Sequence, residues 1–149
     1  MLILLLLFGL FAGMVIPLQT SINSRLGLRL KSPFISSAVS FFVGMVFLFI
    51  VSLIAEPYFF SEGAHLFSLP LWMLIGGGCI GVVYLTANIL LLPHLGSALT
   101  VVVTLLGQMI MALAIDQFGW FRVPVHELNG PRLLGILLML AGVFVVERF

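Results

Sequence analysis

Apolar residues occupy this chain in long blocks broken by short polar clusters, a pattern matching neither the 3.6-residue stripe of a water-facing helix nor the alternation of a half-exposed strand. No charged side chain precedes Arg25 and none lies between Lys31 and Glu56, while between His65 and Asp116 the ionisable groups are Cys79, Tyr84 and His94. Each gap accommodates a helix of ~20 residues, enough to cross ~30 Å of hydrocarbon. The blocks and their punctuation predict five spans, over 2–23, 34–55, 69–92, 96–115 and 131–146. Pro33, Pro70 and Pro131 suit the first turns of helices, where a missing N–H matters little. The joint "LPHLG" at 92–96 is short enough to predict a tight antiparallel hairpin of the third and fourth spans. The last span is the shortest, and its 16 residues predict only ~24 Å of helix.

Composition agrees with a lipid solvent. Of 149 residues, 62% are hydrophobic and 7% charged, too few ionisable groups to cover a water-facing surface. The expected fold class is therefore an all-α integral membrane protein with a single domain over residues 1–149. A net charge of +1 gives no footing for nucleic acid, and a single Cys excludes an internal disulfide. The opening apolar run lacks a basic leading segment and outlasts a signal-peptide core, so it is expected to remain as the first helix. Arg25, Arg29, Lys31 and Arg148 fall on one side of the predicted topology, Arg122 and Arg132 on the other. That bias places the N-terminus outside and the C-terminus in the cytoplasm, with "RLGLRLK" serving as the positive-inside anchor. It is weak enough to permit dual topology, and an odd number of spans lets two copies be related by inversion.

The polar residues inside the spans are concentrated. The first span carries Pro17, Gln19, Thr20, Ser21 and Asn23 late, with a kink expected at Pro17; the second carries Ser36, Ser37 and Ser40 early. In the third, Gly77, Gly81, Tyr84 and Asn88 share a face on which small residues give way to polar ones, with Thr86 nearby. Thr100, Thr104 and Gln108 follow at successive i+4 spacing in the fourth. Because consecutive spans run in opposite directions, these positions define a polar zone in one half of the membrane. The candidate cavity lining is Gln19, Asn23, Ser40, Tyr84, Asn88, Thr100, Thr104 and Gln108. Two readings compete for it: hydrogen bonds that join helices, and a water-accessible vestibule. Asp116 lies ~80° round the helix and ~12 Å along it from Gln108, at the interface and within reach of Arg122 or Arg132. Asp116 with Arg122 is the candidate gate, set against a plain interfacial ion pair.

Enzyme chemistry finds little support. His65, His94 and His126 fall on three separate connections, so neither a metal site nor a cofactor is expected. The glycines of "GGGCIG" at 76–81 precede no Lys-Ser or Lys-Thr pair and suit helix packing better than phosphate binding, as does Cys79 among them.

Five stretches, "GMVIPLQTSINSRLG", "SPFISSAVSFFVG", "GGGCIGVVYLTANILLLPHLGSA", "GQMIMALAIDQFGWF" and "RLLGILLMLAGVFVV", together resemble the YdcZ-type family of small proteins in the drug/metabolite transporter superfamily. The resemblance implies a five-helix unit equivalent to half of a ten-helix transporter, assembled as an inverted pair around a central cavity in the inner membrane. It further implies a small-molecule substrate, a metabolite or drug, and as partner either an antiparallel second copy or a paired homologous subunit. The chain departs from small multidrug exporters in having no Glu embedded in its first span. A passive channel built from the same inverted pair and a non-transporting membrane scaffold are the rival readings.

Overall fold

The computed structural model describes residues 1–56 and 68–148, so His65 lies outside the described residues. Most of these residues are helical, and none is in a strand. Four helices are long and apolar enough to cross a membrane: α1, Leu2–Leu30; α2, Pro33–Ala55; α3, Leu71–Phe118; and α4, Gly130–Arg148. A short 3-10 turn, Trp120–Arg122, stands between α3 and α4. The chain forms two compact units, Met1–Pro93 and His94–Phe149.

Helix ends follow local chemistry. α1 runs seven residues beyond the expected boundary at residue 23 and ends where Lys31 turns left-handed at φ 54°, ψ 28°. There the Ser32 N–H donates to the Gly27 carbonyl at 3.0 Å and the Lys31 N–H to the Leu28 carbonyl at 3.4 Å, the paired bonds of a Schellman cap. Arg25 and Arg29 consequently lie on the helix and not in a loop. At 29 residues, or ~43 Å, α1 exceeds the hydrocarbon thickness by more than two turns. α2 starts as its sequence predicts, with Pro33 in the first turn and the Ser32 hydroxyl accepting from the Ile35 N–H at 3.2 Å. α4 begins with Pro131 in its first turn and the Asn129 side chain accepting from the Arg132 N–H at 3.0 Å.

The joint expected over 92–96 contracts to one residue. Helical structure runs from Leu71 to Phe118 with a single break at Gly96, φ 76° and ψ 172°, a backbone region that essentially only glycine occupies. The expected third and fourth spans lie on either side of this break in one helical element, which counts once among the four membrane-length helices of the described residues.

Pro93 sits just before that break, inside the helix. Having no N–H, it leaves the Ile89 carbonyl, four residues earlier, without its usual donor. The Ser24 hydroxyl of α1 donates to that carbonyl at 3.4 Å. A residue of one helix thus repairs a gap in the backbone of another, in a solvent where an unmet carbonyl would be expensive.

Candidate functional site

Within the unit Met1–Pro93, three helices meet through small and polar residues. Gly27 of α1 allows the approach: a Cβ built there would lie 3.2 Å from Ile89 Cγ2 and 3.6 Å from both Pro33 Cα and Ser36 Cβ. Around it, Ser36 donates to the Asn23 carbonyl at 2.6 Å and the Asn23 amide donates to Ser40 Oγ at 3.1 Å, tying α2 to α1. Ser37 and Thr86 share a hydroxyl–hydroxyl bond of 2.9 Å, and Ser37 also lies 3.0 Å from the Pro33 carbonyl. A hydroxyl carries one proton, so the chain that satisfies both contacts runs from Thr86 through Ser37 to Pro33. It ties α3 to α2.

The buried residues of this unit are mostly polar: Thr20, Asn23, Ser24, Ser36, Ser37, Thr86 and Asn88, against Leu85 and Ile89. None of the buried side-chain nitrogens or oxygens among the described residues lacks a hydrogen-bond partner. Thr20 and Ser21 turn back onto the carbonyls of Ile16 and Pro17, at 3.0 and 2.8 Å. Those bonds occupy donors close to the expected kink, through which α1 stays helical.

The sequence-predicted lining residues separate by exposure. Asn23 and Asn88 are buried, Ser40 and Tyr84 half-buried, and Gln19 exposed. Asn23 and Ser40 meet directly, whereas the Asn88 amide donates to the Tyr84 carbonyl of its own helix at 2.8 Å. Of the glycine face, Gly81 packs against the Phe41 ring, 3.2 Å from a built Cβ, while Gly76, Gly77 and Gly78 have nothing within 4 Å among the described residues.

In the unit His94–Phe149, Thr100 is buried and Thr104 half-buried. Thr100 donates to the Gly96 carbonyl at 2.7 Å, and Thr104 to the carbonyls of Thr100 and Val101 at 2.8 and 3.1 Å. With their protons turned onto the backbone, both hydroxyls can serve an outside group as acceptors only. Gln108, further along the same row, is exposed and its amide can both donate and accept.

Asp116 pairs with Arg132 at 3.2 Å, each side chain about one-third exposed. Of the two arginines within reach by sequence, Asp116 takes Arg132; Arg122 is exposed and left-handed at φ 64°. The physical reason is the fold-back of the segment after α3. The His126 N–H donates to the Asp116 carbonyl at 3.0 Å, and the Leu128 N–H to Gln117 Oε1 at 2.6 Å. Arg132 also donates to the His126 carbonyl at 3.1 Å. The first turn of α4 is thereby drawn against the last turn of α3, with Asp116 between them.

Sequence reasoning missed Ser24, which is buried at the crossing of α1 and α3. The signal was present in principle. A proline within an apolar helical block requires a donor for the carbonyl four residues before it, and a hydroxyl on a neighbouring span is the ready source. Among the described residues no group of His, Cys, Asp and Glu comes together that could hold a metal ion.

Comparison with known proteins adds what the geometry does not supply. A protein-family profile described as "Putative inner membrane exporter, YdcZ" matches residues 4–145. Inner membrane protein YdcZ of Escherichia coli (strain K12) is 29% identical over 141 residues, 95% of this chain and 93% of that protein. No solved structure matches the chain.

Proposed function

Because the chain belongs to the YdcZ family of inner membrane exporters, we propose that it is a transporter subunit which moves a small metabolite or drug-like molecule across the inner membrane by alternating access. In this reading five spans, with α3 divided at Gly96, form half of a ten-helix drug/metabolite transporter-like fold. Two copies, or one copy and a homologous subunit, assemble in opposite orientations. The observation that carries it is that the side-chain bonds joining helices in Met1–Pro93 cluster at their polar ends. The apolar stretches and the open glycines at 76–78 remain available to a second subunit.

The side chains divide by task. Asn23, Ser36, Ser37 and Thr86 spend their hydrogen bonds on holding helices together, at ~0.6–2 kcal/mol each. Gln19 and Gln108, exposed, and Tyr84, half-buried, are the candidates for meeting substrate by accessibility, with Thr104 as an acceptor. The named lining residues include no acid or base, so a neutral or weakly polar molecule suits them better than a strongly anionic one. A cation held on the Tyr84 ring face and on carbonyls is also compatible.

Reconstitution tests this directly. Concentrative flux in proteoliposomes that collapses with the ion gradients is the expected result; flux far above carrier turnover means a channel instead. If Gln108→Leu and Tyr84→Phe leave flux unchanged, the polar residues serve only to join helices. Mapping both termini in cells should give a mixed population for an inverted homodimer. One fixed orientation would require an oppositely oriented partner or defeat the inverted pair.

A further inference from the structure

The segment joining α3 to α4 is folded back by polar bonds at its base and exposes a cluster of aromatic side chains. Asp116, Gln117 and Arg132 are engaged in the bonds that fold it back, at 2.6 to 3.2 Å. Phe118, Trp120 and Phe121 stand at its surface with 66, 48 and 71% of their area exposed, and Val125, beside Gly119, is 61% exposed. The Phe118 and Trp120 rings stack at 5.6 Å and 21°, forming one flat aromatic surface. The backbone is left-handed at Gly119, Phe121 and Arg122 (φ 61°, 58° and 64°), a conformation that phenylalanine rarely takes. The segment is also tight: a Cβ on Gly119 would stand 2.9 Å from Val125 Cγ2.

The length of α4 says where this surface sits. Its 19 residues span ~28 Å, slightly less than the ~30 Å of hydrocarbon it has to cross. The helix therefore has no spare turn, and Gly130 must lie at the edge of the acyl region. The Asp116–Arg132 and Gln117–Leu128 bonds tie the preceding residues to the start of α4, which sets the aromatic surface near the same boundary. Trp and Phe flanked by Arg122 and Glu127 match the chemistry of that boundary, where rings enter the acyl edge and charges meet headgroups.

We propose that residues 118–128 form an interfacial loop that inserts Phe118, Trp120 and Phe121 into the headgroup–acyl boundary of the bilayer and fixes the depth of the Asp116–Arg132 pair. The loop is a lipid-binding surface of the chain itself, independent of what is transported. Its ligand is the bilayer edge, not a partner protein.

Tryptophan fluorescence tests it on the full chain in liposomes. Trp72 and Trp120 are its two tryptophans, so Trp72→Phe leaves Trp120 as the only reporter. Trp120 emission should lie to the blue of free tryptophan. Lipids brominated near the glycerol end should quench it severalfold more than lipids brominated near the methyl end, and more than aqueous acrylamide. Emission near that of free tryptophan with dominant acrylamide quenching would overturn the proposal. Protection from both quenchers would also overturn it, by placing the rings against protein. Should Trp72→Phe fail to fold, a spin label at Phe121→Cys in a Cys79→Ser background reads the same depth. Greater access to oxygen than to a water-soluble nickel chelate is expected, and the reverse overturns the proposal.

Discussion

The two parts of α1 belong to one helix yet differ in what surrounds them. Residues 2–19, nearly all apolar, include no buried side chain, whereas Thr20, Asn23, Ser24 and Gly27 are buried within the next two turns. α2 repeats the contrast: Ser36 and Ser37 are buried while Phe42, Phe47 and Ile54 are exposed. In water the apolar part would drive association. In lipid it gains nothing by leaving the acyl chains, and helices meet where small residues permit close approach and polar groups need partners.

Substitutions at matched positions test that contrast, and the largest expected effect is at glycine. Gly27→Leu should destabilise the protein by ~3 kcal/mol in reversible unfolding from mixed micelles, because the new side chain must displace Ile89 and Ser36. Gly13→Leu, with nothing within 4 Å of a built Cβ, should lose no stability. Equal losses at the two sites would end the distinction.

Gly96→Ala should lose about 2 kcal/mol by forcing a Cβ into the backbone region seen at the break. A neutral result would mean that the break relaxes into helix. Ser24→Ala is expected to lose about 1 kcal/mol, the usual penalty for leaving a buried carbonyl unmet. With Pro93→Ala in place, residue 93 regains an N–H for Ile89, and the Ser24 effect should fall to within ~0.3 kcal/mol. A Ser24 effect unchanged in that background would separate the hydroxyl from the proline.

Smaller effects lie further out. A double-mutant cycle of Asn23→Ala with Ser40→Ala should return ~0.6 kcal/mol, the typical strength of an interhelical hydrogen bond in a membrane. Asp116→Asn should lose less than ~1 kcal/mol, as a partly exposed ion pair does, with the loss shrinking as salt is added. A loss insensitive to salt would move the pair away from the interface.

The contrast within α1 was legible along the chain because it follows from where polar residues occur in an apolar block. The helix ends were legible where a local signal marks them. Pro33 after Ser32 and Pro131 after Asn129 each start a helix as expected, since a cap needs only its neighbours. The far end of α1 was less legible. "RLGLRLK" reads as a loop by charge, while its residues tolerate helix well and the stop is set by a left-handed Lys31 that no glycine announces.

By itself the sequence determined the solvent, the helical class, the clustering of polar residues toward one end of the helices and the membership of an exporter family. Each rests on composition, spacing or resemblance, which require no knowledge of neighbours in space. Only the tertiary structure decided that Ser24 answers Pro93 through the Ile89 carbonyl, that Asp116 takes Arg132 over the nearer Arg122, and that a single glycine divides α3. Those outcomes depend on which donor arrives beside which acceptor once the backbone has folded, and distance along the chain carries almost no record of it.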